Sequence, residues 1–398
     1  MRSNNRNYLP AVDHLRFGAA ALVLIYHAMH MLRPEPVGWI YSTNPATTLF
    51  AEGNSGVALF LVLSGFILTT GSLGRTIEYR AFIRNRFLRV GPLYLVLLMV
   101  AMVVARNDFS LMGAVQTTLG FARFEGGFWS GPFGAVLWTI GVELQFYLVF
   151  PLFLRLLSAQ GARPLVLFIA FMATVRLLAA LTAPGGVDYN QLTYFSLVGR
   201  IDQFLIGMLA AYYFPQVRRL AGRIWVVALA LLAVVATLWL YNQVHGYAEP
   251  RFWRTVWVDV EALMWAGVLL SYVATARFTQ GRLSAVLAWA GERSYGLYLL
   301  HMPVIYLVLR RGWGLDVPGG VLTDAAFTGL VLVLPVTLLL ASLSFAAVEQ
   351  PFLSLRRRYV NLAVVPDTAP PVQPVQDRVQ PLLPVGDSVR VPEARVGA

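Results

Sequence analysis

The sequence contains no cysteine. That single absence removes disulfides, thiolate nucleophiles, cysteine-ligated zinc and iron–sulfur clusters. Lysine is also missing, so all 31 basic residues are arginine. Charge is scarce overall: 13% of residues are charged, against about 25% in an ordinary soluble domain. No Walker or GxGxxG loop occurs, which leaves an ATP- or NAD-driven mechanism without support. What fills the chain instead is apolar. Of its 398 residues 58% are hydrophobic, and the mean hydropathy is +0.63. The shortfall of charge is too large for a soluble core and points to lipid as the solvent.

The formal net charge of +11 would suit nucleic acid if it lay on one face of a soluble domain. Here the arginines stand in short groups between apolar runs, where they report membrane topology. No nucleic-acid partner is expected.

A segment crossing a ~30 Å hydrocarbon layer needs about 17–25 residues. Ten qualify: 16–32, 54–74, 87–105, 134–154, 164–182, 194–214, 224–241, 257–275, 283–309 and 325–347. The stretch 109–128 is interrupted by glycine and charge and reads as an interfacial or re-entrant loop. With ten spans the arginine groups fall on one side: Arg2 and Arg6; Arg75, Arg80, Arg84 and Arg86; Arg155 and Arg163; Arg218, Arg219 and Arg223; Arg277 and Arg282; Arg356 to Arg358. The positive-inside rule then puts both termini in the cytoplasm. The expected fold class is all-α, a polytopic membrane protein of about ten transmembrane helices. Residues 1–358 form its membrane domain, and 359–398 a disordered Pro/Val-rich cytoplasmic tail. The first span follows Arg2 and Arg6 like a signal peptide but has no small-residue cleavage site, so it is expected to be retained.

Ionisable groups inside spans cost about 2.5–3.5 kcal/mol each at the helix centre and call for a reason. Arg16 opens the first span and His27 lies eleven residues on, about 16 Å along a helix. A neutral imidazole in a polar cavity of low dielectric makes a good general base. His30 follows at three residues, but two histidines without an acid on the same helix are a weak metal signal, and no metal is expected. Glu143 and Tyr147, at i and i+4, share a face of the fourth span. A buried carboxylate there needs a partner, and an ion pair and a place in a catalytic site remain equally open. His301 sits in a segment bracketed by Gly291 and Pro303, which predict a broken or kinked helix. Arg176 and Arg200 lie near span ends, where an arginine can snorkel as an anchor. The densest basic run, Arg80 to Arg89, places Arg86 and Arg89 on one face. It reads equally as topology plus anionic lipid or as a phosphate clamp, for which the planar guanidinium is suited.

These residues resemble acyltransferase family 3, integral membrane O-acyltransferases acting on envelope polysaccharides, lipid-linked sugars and some macrolides. The resemblance runs from about 9 to 358. It is carried by Asp13-His14-Leu15-Arg16 leading to His27, Gly56 through Ser64-Gly65-Phe66, Arg86-Phe87-Leu88-Arg89 before Pro92 and Tyr94, Trp138 through Glu143 to Phe146-Tyr147, Gly207-Met208, Ser294-Tyr295 through His301 to Pro303, and Glu349-Gln350-Pro351-Phe352. Thr139, Gly91 and Met302 depart from the family's usual serine, aromatic and tryptophan, which bears on specificity more than on chemistry.

The resemblance implies that His27 and Arg16 belong to the catalytic centre and gives Glu143 a site-forming role, so these three are the expected catalytic residues. Arg84, Arg86, Arg89 and Glu349 would hold acetyl-CoA or another acyl-CoA, and Ser64, Tyr147 and His301 would meet the substrate. It implies transfer of an acyl group, acetyl foremost, to a hydroxyl of a polysaccharide, lipid-linked sugar or related glycoside, in a bacterial inner membrane. The hydrolase-like domain that many relatives carry has no counterpart here, so the membrane part, or a separate partner, is expected to do the whole reaction. Two other classes fit the composition: a transporter of acylated or small anionic products, and a non-enzymatic scaffold of polysaccharide assembly.

Overall fold

The structure is a computed structural model. It describes residues 8–33, 39–104, 106–107, 110–119, 136–182, 189–246, 251–275 and 280–362. The chain is mostly helical. In order come α1 (Pro10–Met31), α2 (Pro45–Ala51), α3 (Gly56–Ser72), strand β1 (Arg75–Ile77), α4 (Tyr79–Val104), α5 (Leu111–Thr118), α6 (Trp138–Gln160), α7 (Arg163–Thr182), α8 (Tyr189–Thr193), α9 (Leu197–Ala221), α10 (Ile224–Gln243) and α11 (Arg254–Ala274). They are followed by α12 (Gly281–Glu292), α13 (Ser294–Arg311), α14 (Val321–Thr328), α15 (Leu334–Ser344), α16 (Gln350–Ser354) and strand β2 (Val360–Leu362). Two π-helical turns, Gly329–Val333 and Phe345–Glu349, join α14 to α15 and α15 to α16 into one long rod.

Each of the ten apolar segments read from the sequence overlaps one of these helices or a consecutive series of them. Seven are long and apolar enough to cross a membrane by length and composition: Gly53–Ser72, α4, α6, α7, α10, α11 and the rod Val321–Ser354. The others carry polar groups in their interiors, Asp13, His14 and Arg16 in α1 and Arg200 and Asp202 in α9. The expected break near His301 falls at Arg293, which splits that segment into α12 of 12 residues and α13 of 18. Helices suit this solvent because they satisfy their backbone internally. The apolar faces of α7 and α10, with Leu167, Phe171, Leu229 and Leu232, are exposed.

Of the interrupted stretch 109–128, α5 accounts for 111–118, and residues 120–135 lie outside the described set. So do residues 363–398, most of the expected tail. In residues 359–362, which are described, β2 pairs antiparallel with β1, Ile77 opposite Val360 and Arg75 opposite Leu362.

Close packing depends on glycines where backbones meet. A Cβ on Gly65 would lie 2.0 Å from the Phe204 carbonyl oxygen, and one on Gly207 2.1 Å from that of Val62, so α3 and α9 touch through bare backbone. Gly53 and Gly56 bring the start of α3 onto α1, and Gly291 brings α12 to within 1.9 Å of the Asp13 carbonyl oxygen on the same measure. His14 ties α1 from the side, with Nδ1 against the Tyr272 hydroxyl at 2.9 Å and Nε2 against the Ser284 carbonyl oxygen at 2.9 Å.

Arg176 and Arg200 correct one expectation. Neither snorkels: their exposures are 0% and 1%. Arg176 bridges Asp202 at 2.7 Å and Asp259 at 2.8 Å and donates from Nε to the Thr255 carbonyl. Arg200 pairs with Glu261 at 3.1 Å, and Gln203 donates to the same carboxylate at 2.9 Å. A lipid-buried guanidinium that reaches carboxylates on a neighbouring helix has no need of the interface, and here the pairs lock α7, α9 and α11 together.

Candidate active site

Two features converge on α1. The first is a cavity of about 200 Å³ at its N-terminal end. Arg16 and Asp13 from α1, Ser64 from α3, Arg86 and Arg89 from α4, Thr139, Glu143 and Tyr147 from α6, Tyr295 and Tyr298 from α13, and Arg356 and Tyr359 beyond α16 all line it. The second is a pair of histidine rings further along α1.

The cavity's charges are unevenly matched. Arg16 pairs with Asp13, one turn away, at 3.6 Å. Glu143 accepts from the Ser64 hydroxyl at 3.2 Å and from the Tyr147 hydroxyl, its i+4 neighbour. Arg86, Arg89 and Arg356 form no ion pair with any described residue. Instead the Arg86 guanidinium faces the rings of Phe82, Tyr147 and Tyr359 at 5.5, 5.7 and 5.8 Å. Arg86 Nε and Arg89 Nη2 are buried with no hydrogen-bond partner. Unmet buried donors cost about 1–3 kcal/mol each, more when charged. Three guanidiniums on one wall, none of them ion-paired although Asp13, Glu143 and Glu292 line the same cavity, make a site for an anion.

The histidine pair fixes its own protons. His301, fully buried on α13, has Nδ1 2.6 Å from the Tyr298 carbonyl oxygen. His27 has Nδ1 3.0 Å from the Val23 carbonyl oxygen, and that same atom is 3.1 Å from His301 Nε2. Carbonyl oxygens only accept, so in neutral rings both Nδ1 atoms carry the hydrogen. His301 Nε2 is then a lone pair accepting from His27, and His27 Nε2 is left unprotonated with no described partner. That is the tautomer a general base needs. Tyr298 links the two features, since its ring lines the cavity while its carbonyl holds His301.

Of the residues singled out from the sequence, Arg16, Ser64, Arg86, Arg89, Glu143 and Tyr147 come together at the cavity. His27 and His301 meet each other, eleven residues further along α1 than Arg16, so Arg16 is not beside His27. Arg84 is exposed and does not line the cavity. Glu349 is buried at 2% exposure with both carboxylate oxygens unpartnered. It sits in the second π-helical turn, against Gly296 and beside the cavity-lining Phe345. His30 bonds the Tyr26 carbonyl at 2.9 Å, and the described residues contain no cluster of three or more metal-ligating side chains. Sequence reading missed Tyr298, Arg356 and Tyr359. Arg356 was counted only as a topology marker, and nothing in its spacing tied it to Arg86.

Helices long and apolar enough to cross a membrane, around a polar, arginine-rich cavity with a histidine pair beyond it, fit a membrane-embedded group-transfer protein. A family described as acyltransferase domain matches residues 9–345, and the chain belongs to it, acyltransferase family 3. The chain is 25% identical over 382 residues to a putative peptidoglycan O-acetyltransferase, YrhL, of Bacillus subtilis, covering 88% of this chain and 56% of the relative. It is 28% identical to nodulation protein 10 of Rhizobium leguminosarum (87% and 94% covered) and 28% identical to acyltransferase MdmB of Streptomyces mycarofaciens (91% and 96%). The chain thus spans a little over half the length of the Bacillus relative. No solved structure matches it.

Proposed function

We propose that the protein is a bacterial inner-membrane O-acyltransferase that moves an acetyl group from acetyl-CoA, on the cytoplasmic side, to a hydroxyl of an envelope polysaccharide or a lipid-linked glycoside. Its membrane unit has ten spans with both termini cytoplasmic. The observation that carries this reading is the His27–His301 pair, which leaves His27 Nε2 as a free base on the helix that also enters the arginine-rich cavity. The names of the relatives support the glycan acceptor and the acetyl group.

In this mechanism the donor's phosphates lie on Arg86 and Arg89, and its arm extends along α1 for about 16 Å. Arg16 belongs to the donor cavity. His27 Nε2 takes the proton of the acceptor hydroxyl, whose oxygen attacks the thioester carbonyl. The imidazolium is steadied by His301, which accepts through Nε2 from His27 Nδ1. The tetrahedral intermediate expels the thiolate, and the proton passes from His27 to that sulfur, giving ester and free thiol. A positioned base contributes about 10²–10⁴-fold. Glu143, held by Ser64 and Tyr147, shapes the acyl end of the cavity, and Glu349 braces the arginine wall from behind.

The test is compositional. In a strain deleted for the gene, envelope glycans lose one discrete acetyl mass; wild type restores it, and His27→Ala does not although it is present in the membrane. Unchanged acetylation with altered export or chain length would replace this reading with the carrier or scaffold.

A further inference from the structure

The cavity's third unpaired arginine comes from a part of the chain beyond the residues that match the family. After α16 the backbone leaves the helix and crosses back over the start of α4. It is pinned there at several points. Asn85 of α4, 1% exposed, donates from Nδ2 to the Arg357 carbonyl at 2.5 Å and accepts the Arg357 N–H on Oδ1 at 3.1 Å. Glu78 donates its N–H to the Tyr359 carbonyl at 2.9 Å, and β2 completes the ladder with β1. A buried asparagine spent on both backbone groups of one residue holds that residue in register, as a strand neighbour would. What the pins hold over the cavity is Arg356 and Tyr359.

Arg356 donates from Nε to the Leu353 carbonyl at 3.2 Å, which orients the guanidinium. Its two Nη groups bond no described residue. Burial, then the like charges of Arg89 and Arg86, push it down to about 10 from the usual 12.5. Tyr359 packs its ring 5.3 Å from Phe82 and presents a face to Arg86. So the strap adds one cation and the aromatic wall of another. Three neighbouring guanidiniums that form no ion pair with a described residue favour an occupant with more than one phosphate, since a single carboxylate engages one planar fork.

We infer that residues 355–362 complete the donor site, with Arg356 as a third phosphate ligand beside Arg86 and Arg89 and Tyr359 setting the plane of the Arg86 guanidinium. The inference rests on the acyl-CoA reading above and assigns part of its specificity to a residue outside the matched domain. Asn85 is a positioning residue, acting on the donor only through the strap.

The experiment uses the full chain in lipid nanodiscs with acetyl-CoA, and with the acetyl thioester of CoA lacking its ribose phosphate. Arg356→Gln raises the KM for acetyl-CoA by roughly 10–100-fold, the loss of one charge-assisted contact. The kcat at saturation and the acceptor KM stay within about twofold of wild type. Arg356→Lys, which keeps the charge and so guards against misfolding of the glutamine variant, gives a smaller rise. Asn85→Ala shifts the donor KM in the same direction. Unchanged donor KM in both Arg356 variants overturns the inference, as does a loss confined to kcat. If wild type itself transfers nothing from acetyl-CoA while His27→Ala abolishes glycan acetylation in cells, the donor reading fails and takes this inference with it. If the two thioesters respond equally to Arg356→Gln, the diphosphate is the group contacted; if the truncated one is insensitive, it is the ribose phosphate.

Discussion

Adding one methyl group at Gly65 should damage the protein more than most side-chain deletions would. Gly65 sits where α3 crosses α9, and the Cβ of alanine would fall 2.0 Å from the Phe204 carbonyl oxygen. Real Cβ contacts essentially never fall under 3.0 Å. The two backbones must therefore part by about 1 Å, since no side chain can rotate away to relieve a clash with a carbonyl. Overpacking of this kind costs about 1–3 kcal/mol and sometimes more. The movement also reaches the site. Ser64, the neighbouring residue, donates to Glu143 at 3.2 Å, and a further ångström breaks that bond. Misplacement on that scale can cost about 10²-fold in rate. Melting and acetyl transfer of Gly65→Ala in detergent or nanodiscs measure both effects. The reciprocal variant Gly207→Ala opens the same interface from the other helix, with its Cβ 2.1 Å from the Val62 carbonyl oxygen. The double variant should then cost less than the two single losses added, because the first methyl has already separated the helices. Wild-type melting in Gly65→Ala, or strict additivity in the pair, would refute the bare-backbone contact.

Other perturbations separate structure from chemistry. Arg176→Ala leaves Asp202 and Asp259 without their shared cation, and is expected to destabilise by about 3–5 kcal/mol; membrane abundance falls, and specific activity of the surviving protein does not. His301→Ala removes the acceptor that steadies the His27 imidazolium, while the Val23 carbonyl still holds the proton on Nδ1, so kcat drops by roughly 10–100-fold while the donor KM holds; a rise in donor KM with kcat unchanged would remove His301 from the role given it. Arg84→Ala, at an exposed position off the cavity, leaves the donor KM unchanged, whereas Arg89→Ala raises it; titrating acetyl-CoA against both variants decides. Tyr147→Phe removes one of the two hydroxyls on Glu143 and lowers kcat with little change in melting.

Much of the helical layout was legible because lipid imposes a length and a polarity that show directly in the chain. The positions of α1, α4, α6 and α10 follow from apolar runs alone. The break between α12 and α13 was signalled by Gly291, although it falls two residues later, at Arg293. Pairing was not legible. Arg176 and Arg200 look like interfacial anchors until their carboxylates on α9 and α11 are seen, because nothing in spacing says which helices touch. The same limit hid the site's division. Arg16 and His27 share a helix and invited a single centre, yet their neighbours differ: one enters the arginine cavity and the other meets His301. Glu143 with Tyr147 was readable from its i, i+4 spacing; the Ser64 bond was not. Arg356 and Tyr359 were out of reach, since the strap that carries them depends on Asn85 and a three-residue ladder.

In the proposed mechanism a neutral His27, with its proton fixed on Nδ1, is the base for acyl transfer from a cytoplasmic thioester. Its most direct test is radiolabelled acetyl-CoA given to the purified chain in nanodiscs with a glycan acceptor, wild type against His27→Ala. Wild type is expected to give acetyl ester and free CoA thiol in equal amounts, and His27→Ala to run at least about 10²-fold slower at unchanged melting temperature. Transfer by His27→Ala at the wild-type rate would contradict it.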